Sequence, residues 1–299
     1  MSLTLRILKD KVAGKVVLCL SVIAGFLLFL IVGGLYAKSR PILSSHSLSD
    51  LLTKSVWKPG KNQFGFLPYI LSTVYITLIS ILIAAPLCIL CSIYLSEYAN
   101  KRVKNFVTSL VDILAGLPSV IFGIWGIIMI VPFISNTLAP AFGQEDTTGY
   151  SILAGGLVLA IMVFPIVIHI MLEVLRTVPV ALREASLSLG ANKWETIKKV
   201  VLRKAAPGII AAIVLGFSRA FGETLAVLMV VGNTALIPHS VFDSGYPLPA
   251  LIANNYGEMM SIPMYDAALM FASLLLLTVI LLFNVAARVI MMRVERRTA

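Results

Sequence analysis

The sequence predicts an all-α polytopic membrane protein with six transmembrane helices. Hydrophobic residues make up 59% of the 299 positions, charged residues make up only 13%, and the mean hydropathy is +0.97. A soluble domain usually has about 25% charged residues, so this chain has more apolar surface than one globular core can bury. Six runs reach the roughly 20 apolar residues that a helix needs to cross a bilayer. Most of them are apolar nearly all round, as lipid-embedded helices are.

The predicted spans form one transmembrane domain over residues 1–299. In chain order they are 16–37, 69–96, 107–134, 150–175, 207–234 and 266–290. The helices over 69–290 form the core, and 16–37 is an extra N-terminal helix. Its apolar stretch of about 22 residues is too long for the 7–15-residue core of a signal peptide, so we expect this helix to be retained.

The distribution of positive charge predicts the orientation in the membrane. Segments 1–15, 97–106, 176–206 and 288–299 contain 18 of the 24 Lys and Arg residues. The segments between them contain five in 38–68 and none in 135–149 or 235–265. By the positive-inside rule, both termini are predicted to be cytoplasmic in a multi-pass protein of the cell (inner) membrane, with lipid around it. The net charge is +10, but no basic stripe with interleaved aromatic residues is present. We therefore expect no nucleic-acid partner.

Residues that often bind metals are sparse and isolated. Cys88 and Cys91 have CxxC spacing but no second pair, and Cys19 lies in the first predicted span. We interpret all three as small apolar side chains in buried helices. His169 has no second metal ligand at helical spacing, so we expect a satisfied core residue. The sequence predicts no metal site and no catalytic site.

The third predicted span contains two candidate pathway or gating residues. Its sequence DILAGLPSVIFGIWG covers 112–126. Pro118 removes a backbone donor and is expected to kink the helix. Asp112 lies near the cytoplasmic end, where it is either an interfacial or capping group or a functional one. Close approach of neighbouring helices is expected at Gly116, Gly123 and Gly126.

Segment 176–206 predicts an ordered cytoplasmic loop. Gly190 suits the left-handed position that ends a helix, and Asn192 with Glu195 three residues later is typical of a capping box. The pattern predicts two short helices joined at Gly190, followed by a return to the membrane near Pro207. Such an ordered loop is expected where another protein docks.

The sequence EASLSLGANKWETIKKVVL at 184–202 resembles the EAA loop of ABC-importer permeases. The matching positions are Glu184, Ala185, Gly190 and Leu202; the departures are Ser186, Val200 and Arg203. The resemblance implies the fold of a type I ABC-importer permease. It also implies that Glu184, Ala185 and Gly190 couple the chain to an ATPase.

A second resemblance indicates which group of ABC-importer permeases this chain is similar to. The sequence SRAFGETLAVLMVVGN at 218–233 is similar to the Arg-Ala-x-Gly-Glu-Thr segment of phosphate-importer permeases, and FGFLPYILST and AGLPSVIFG also resemble that family. The continuation GETLAV resembles the PstC type of subunit, whereas the PstA type usually continues Ala-Pro. The resemblance covers nearly the whole chain. It implies transport of inorganic phosphate.

The family implies a heteromeric complex. A second permease of the PstA type completes the pathway, two copies of a PstB-type ATPase dock on the loop, and a phosphate-binding protein acts on the outer side. This chain has no G-x-x-x-x-G-K-[ST] phosphate loop. We therefore expect it to be no enzyme and to bind no cofactor, with ATP and Mg used by the partner ATPase.

Arg219 and Glu223 are two charges inside the fifth predicted span. Four residues apart, they are predicted to share one helix face, with Ala212, Gly216 and Ala226 on the same stripe. Each charge costs roughly 2.5–3.5 kcal/mol at the centre of a membrane helix. One interpretation is a buried ion pair that fixes helix register. The other, which we favour, is a transient phosphate contact: Arg suits phosphate oxygens, and Glu223 competes for Arg219 and allows release.

Three alternatives stay open, and the second and third of them belong to other function classes. A permease for sulfate or molybdate would have a similar loop at 184–202, although the RAFGET segment favours phosphate. An ATP-independent secondary transporter is disfavoured by that loop and by the lack of obvious inverted halves. A membrane scaffold would explain six spans but not two intramembrane charges.

Overall fold

The computed structural model describes residues 3–298 except 145, 259–261 and 263, with the side chains of 11–294 in that range. Six described helices are long and apolar enough to cross a membrane. We call them the first to sixth spans: Lys11–Ser45, Leu67–Tyr98, Ser119–Ala141, Ile152–Thr177, Lys193–Ala220 and Tyr265–Val294. The predicted all-α class with six spans is confirmed.

The first span belongs to a helix that runs from Leu3 to Ser45, well beyond the predicted 16–37. It contacts the sixth span, and the side chains of Ser39 and Ile42 are fully buried near its end. The most apolar stretch of this span has no residue buried against the rest of the described chain. The extra helix is therefore anchored at one end and presents the rest of its surface to its surroundings.

Short elements cap one side of the domain, which we call the hairpin side. They are the helices Leu48–Thr53 and Leu248–Asn255 and the antiparallel strands Trp57–Lys58 and Gln63–Phe64. The ring of Trp57 lies edge-on to Phe64, Phe66 and Tyr69, with centroids 5.3–5.4 Å apart. This aromatic cluster fixes the hairpin to the start of the second span.

The second, fourth and fifth spans form the centre of the core. A Cβ added at Gly156 of the fourth span would lie 2.6 Å from Ile79 Cγ2 of the second. One added at Gly216 of the fifth span would lie 2.3 Å from Val167 Cγ2 of the fourth. Because only glycine fits at these two contacts, the three helices pack backbone against side chain and are held as one unit.

The prediction of a third span at 107–134 was wrong. A helix covers Lys101–Gly116, then Leu117 turns to extended backbone (φ −72°, ψ 135°) and a new helix starts at Ser119. The residue before a proline is disfavoured in helical conformation, so Pro118 ends a helix here and does not kink one. The third span then runs to Ala141 through π-helical turns at Gly126–Ile130 and Ile134–Leu138.

We call Lys101–Gly116 the amphipathic helix. The Asn100 side chain caps it by accepting a hydrogen bond from the Val103 amide at 2.9 Å. Val111 is the one buried residue of this helix. The amphipathic helix packs against the fourth span. Charged residues in its first turn and one apolar face make it a surface helix, which hydropathy alone merged with the following span.

The glycine prediction for this region is correct at two of three positions. A Cβ at Gly123 would lie 2.6 Å from Met229 Sδ, and one at Gly126 would lie 2.7 Å from a Val158 methyl. Gly116 has nothing within 4 Å, because it sits at the exposed end of the amphipathic helix.

The prediction of a fifth span at 207–234 was wrong at both ends. The helix starts at Lys193, passes through a π-helical turn at Ile197–Val201 and ends at Ala220. The predicted second short helix is thus the beginning of the span itself, and Pro207 lies inside the helix. A separate short helix, Leu225–Val230, follows the break.

The predicted fourth and sixth spans begin and end within a few residues of the observed helices, except at the C-terminal end of the sixth. The fourth runs over Ile152–Thr177. The sixth span belongs to a helix at Tyr265–Thr298, which continues past the predicted end at residue 290. Between the fourth and fifth spans lies the short helix Val180–Ser188. We call it the loop helix, and its side of the domain the loop-helix side.

Candidate functional site

Arg219 and Glu223 lie on the two sides of the break that ends the fifth span. Arg219 is in the last turn of the helix, which ends at Ala220. The amides of Gly222 and Glu223 then donate to the carbonyls of Arg219 and Ala220, each at 3.1 Å. These bonds reach three residues back, not four, and form a tight turn. The prediction that both charges share one helix face was therefore wrong.

The two charged side chains are not an ion pair. Within the described part of the chain, neither the Arg219 guanidinium nor the Glu223 carboxylate has a hydrogen bond or a partner within 4.0 Å. Arg219 is exposed and Glu223 is half-buried. Both groups are thus free to interact with something else.

Both residues line one cavity between the third, fourth and fifth spans, which we call the central cavity. Its other walls come from the end of the amphipathic helix, the start of the third span and the fourth span: Leu114, Ala115, Leu117, Phe122, Leu159, Met162, Val163 and Ile166. Apart from Arg219 and Glu223 this lining is apolar. A charged ligand in this cavity would meet those two groups as its only charged contacts among the described side chains.

A second, smaller cavity lies behind Glu223. It is lined by Thr73 and Thr77 of the second span and by the proline-rich start of the helix Leu248–Asn255. Glu223, Ala220 and Leu159 line both cavities. Glu223 is therefore the one charged residue of the wall between them, within the lining that the structure describes.

The threonines of the second cavity tie it to the hairpin side. Thr77 Oγ1 donates to the Thr73 carbonyl at 2.8 Å, and Thr73 Oγ1 accepts from the Leu248 amide at 2.9 Å. Both side chains are almost fully buried. These hydroxyls give a polar lining to a stretch of the second span that hydropathy treats as uniformly apolar.

Asp112 contacts His169, a pairing that the sequence did not predict. His169 Nε2 lies 2.5 Å from Asp112 Oδ1, which links the amphipathic helix to the fourth span. The prediction of a core position for His169 was wrong, since its side chain is 40% exposed. Asp112 is outside the lining of the central cavity, but it helps to hold the helix whose end at Leu114–Leu117 forms one wall. Pro118 begins the next helix at that wall.

The loop helix exposes the residues predicted to couple to an ATPase. Glu184 and Ala185 are exposed, and Gly190 has φ +85°. The capping box is also present: the Glu195 amide donates to Asn192 Oδ1 at 2.8 Å, and the Asn192 amide donates to Glu195 Oε2 at 3.1 Å. The first short helix, the left-handed turn at Gly190 and the capping box were thus correctly predicted, whereas the second short helix continues into the fifth span.

Apolar side chains next to these residues are also exposed. Leu187 is 50%, Leu189 89% and Trp194 51% exposed. An exposed cluster of this kind at a loop is typical of a protein–protein contact.

The sequence analysis missed a partly buried ion pair beside this loop. Arg183 Nη2 lies 2.9 Å from Glu97 Oε1, and the two side chains are 20% and 10% exposed. Glu97 belongs to the π-helical turn Tyr94–Tyr98 at the end of the second span. The two residues are 86 positions apart, so no local pattern could have joined them.

Comparison with known proteins identifies the family. Residues 84–299 match the family described as "Binding-protein-dependent transport system inner membrane component". The chain belongs to this family. It is a permease of an ABC importer, a non-catalytic multi-pass subunit of the inner membrane that binds no cofactor. Membership implies an ATPase and a binding protein as partners.

Curated relatives cover most of the chain. A probable ABC transporter permease, YqgH of Bacillus subtilis, is 36% identical over 83% of this chain and 80% of its own length. A probable phosphate transport permease, PstC of Methanocaldococcus jannaschii, is 33% identical over 91% of this chain and 90% of its own. PstC of Mesorhizobium japonicum is 33% identical over 92% and 89%.

Solved structures support the fold. A chain of the bacterial ABC transporter for the acidic polysaccharide alginate superposes with a TM-score of 0.63 at 18% identity, over 96% of this chain and 99% of that one. A chain of the inward-facing methionine transporter MetNI gives 0.54 at 21% identity, over 82% and 96%. At these identities the likeness concerns the arrangement of helices alone.

Proposed function

We propose that this chain is the PstC-type permease subunit of an ATP-driven importer of inorganic phosphate. One observation carries the proposal: Arg219 and Glu223 are unpaired and line a central cavity that is otherwise apolar. A guanidinium offers a planar, permanently charged fork that matches phosphate oxygens. The relatives named PstC support the same substrate.

Arg219 is the residue that receives phosphate in this proposal. An isolated charge in a membrane span is costly, and a position kept for stability alone would be better filled by an apolar side chain. Arg219 has no partner among the described residues. The free-energy cost of placing its charge in the membrane is therefore offset when an anion binds to it. The contact is electrostatic, so it suits a ligand that has to leave again.

Glu223 separates the two cavities and controls passage between them. Its carboxylate repels a phosphate in either cavity and competes for Arg219 once the turn at Phe221–Thr224 moves. A carboxylate in this wall therefore prevents Arg219 from holding the anion too long.

Asp112 and Pro118 act on the site from a distance. The contact between Asp112 and His169 anchors the amphipathic helix, and Pro118 sets the break after it. Together they position Leu117 at the cavity wall. A shift of the amphipathic helix would open or close this wall, which is the gating role proposed for both residues.

The exposed loop helix supports a complex in which this chain is one of several subunits. Glu184, Ala185 and Gly190 dock the chain on one of two PstB-type ATPase subunits, and a second permease of the PstA type completes the pathway. A phosphate-binding protein delivers its ligand at the hairpin side, which in this orientation is the outer side. Both termini are then cytoplasmic, and residues 1–299 form one transmembrane domain with the first span as an extra helix.

Other oxyanions are the competing substrates. A sulfate or molybdate permease would need the same loop and the same six spans, and YqgH has no substrate in its name. The test is ATP-dependent uptake of labelled phosphate into vesicles that contain the complete complex, with labelled sulfate in parallel. Uptake of phosphate alone supports the proposal. Sulfate uptake without phosphate uptake contradicts it, and uptake without ATP identifies a secondary transporter.

A further inference from the structure

Arg183 joins three elements on the loop-helix side. Its Nη2 donates to Glu97 Oε1 at 2.9 Å and to the Leu175 carbonyl at 3.1 Å, and its Nη1 donates to the Val178 carbonyl at 2.6 Å. Arg183 itself lies in the loop helix. One guanidinium thus connects the loop helix to the end of the second span and to the end of the fourth.

Arg183 also caps the end of the fourth span. The last carbonyls of any helix have no partner within the helix, and the Val178 amide forms no cap in the structure. Arg183 supplies donors to two of the carbonyls at this end. A cation at a helix C-terminus is also favoured by the helix dipole.

The ion pair is the most buried one within the described part of the chain. The side chains of Arg183 and Glu97 are 20% and 10% exposed, whereas each side chain of every other described pair is at least 40% exposed. Ser96 Oγ adds a hydrogen bond to the same Glu97 oxygen at 3.2 Å. Exposed pairs form and break readily in water, but a desolvated, multiply bonded pair holds one geometry.

Two further contacts connect the start of the fifth span to this region. The Lys193 ammonium lies 4.5 Å from the ring centroid of Tyr98, at the end of the second span. The hydroxyls of Ser186 and Thr196 lie 2.9 Å apart, which links the loop helix to the start of the fifth span. The loop helix is therefore fastened to three spans, and Arg183 makes the bonds to two of them.

We infer that Arg183, through its bonds to Glu97 and to the end of the fourth span, is the positioning residue that makes the second and fourth spans move with the loop helix. This inference rests on the proposed function, in which the loop helix docks on the ATPase. The second and fourth spans carry Thr73, Thr77 and Leu159, which line the cavities on both sides of Glu223. Motion of the ATPase would thus reach the substrate path through this guanidinium.

The first test measures coupling in vesicles with the complete complex. Phosphate uptake and ATP hydrolysis are measured together for wild type, Arg183→Gln, Glu97→Gln and Arg183→Lys. We expect Arg183→Gln and Glu97→Gln to hydrolyse ATP but to move at least about fivefold less phosphate per ATP, the lower end of typical coupling between sites. Arg183→Lys keeps the charge but loses the fork, so an intermediate ratio is expected.

The matched control is Lys199→Gln. It breaks the ion pair between Lys199 and Glu195, which lies in the same loop region but is 72% and 40% exposed. The wild-type ratio is expected for this variant. If Arg183→Gln lowers only the amount of assembled complex, and the assembled fraction keeps the wild-type ratio, the residue is merely structural and the inference is overturned.

A second measurement does not depend on the substrate. Spin labels at Ser188 of the loop helix and Leu90 of the second span, in a background without the native cysteines, report the distance between the two elements. We expect one distance in wild type with and without ATP, and an ATP-dependent change in Arg183→Gln. An unchanged distance in the variant overturns the inference. Failure of wild type to take up phosphate instead contradicts the proposed substrate, and the spin-label result still decides the role of Arg183.

Discussion

Arg219 and Glu223 face one cavity from opposite sides of a helix end, without contact between their charges. Arg219 occupies the last turn of the fifth span, and Glu223 follows the turn at which the helix stops. Neither side chain has a polar partner within the described residues. Arg219 lines the first cavity, and Glu223 lies in the wall between the two cavities. In the proposed function, an anion is received and released at this place.

Glu223→Gln keeps the size of the side chain and removes the charge that competes for Arg219. We expect the complex to assemble in normal amounts and phosphate uptake to become slower, because release from Arg219 is delayed. The measurement is the uptake rate at saturating phosphate, with complex yield in parallel. The double variant Arg219→Gln/Glu223→Gln is expected to stay inactive. Full transport by the double variant would show that neither charge is needed to handle phosphate.

The orientation can be tested by labelling single cysteines. Cys19, Cys88 and Cys91 are first replaced, and a cysteine is placed at Lys61 or at Lys101, both exposed. Lys61 lies on the hairpin side and Lys101 begins the amphipathic helix. An impermeant reagent added to intact cells is expected to label position 61 and to reach position 101 only after the membrane is opened. The reverse pattern contradicts a cytoplasmic location of both termini.

Gly190→Val tests the turn after the loop helix. A Cβ at Gly190 meets nothing within 4 Å, but φ is +85°, so the cost is backbone strain of about 1–2 kcal/mol and not a clash. We expect the variant to stay in the membrane, to retain less ATPase on purification and to transport less phosphate.

Gly190→Asn is the matched control for this turn, since Asn tolerates left-handed backbone better than other residues with a side chain. It is expected to retain nearly normal ATPase binding. Equal, normal binding and transport by the Val variant would exclude a role for the turn in coupling.

Gly216→Ala tests the packing of the fifth span on the fourth. The added methyl group would lie 2.3 Å from Val167 Cγ2 and 3.0 Å from Val163 Cγ1. Both valines are stiff at χ1, so we expect a loss of about 1–3 kcal/mol, as for other overpacked cores. Thermal unfolding of the purified complex measures it. Gly25→Ala, with nothing within 4 Å, is the control, and equal melting temperatures for the two variants would refute the close packing.

Features with a local chemical signal were predictable from the sequence. Gly190 and the pair Asn192–Glu195 specify their turn and cap through their own backbone and side-chain hydrogen bonds. The number of spans, although not the ends of the third and the fifth, follows from apolar length alone. For these elements the nearby residues determine the structure, and tertiary contacts do not override them.

Helix ends inside apolar runs were not predicted. Leu117 and Pro118 have a local signal, since proline disfavours a helical residue before it, but the apolar residues on both sides favoured one continuous span. The end of the fifth span at Ala220 has no proline and no residue with positive φ nearby. Just after this end, Phe221 is buried and its ring lies 4.9 Å from that of Phe283 in the sixth span, a contact between distant segments.

Contacts between distant segments were also not predicted. Asp112 and His169 are 57 residues apart, and Glu97 and Arg183 are 86 apart. Each residue alone looks like an ordinary interfacial charge. Only the packing of the amphipathic helix and of the loop helix against the spans brings the partners together.

The most direct test of the phosphate site is the initial rate of ATP-driven phosphate uptake by Arg219→Gln. The complete complex is reconstituted in vesicles, and Arg288→Gln is the matched control, since Arg288 is an exposed arginine of the sixth span outside the central cavity. We predict that Arg219→Gln assembles and docks the phosphate-binding protein but loses uptake, while Arg288→Gln transports like wild type. Normal phosphate uptake by Arg219→Gln would contradict the assignment of this residue to the translocation path.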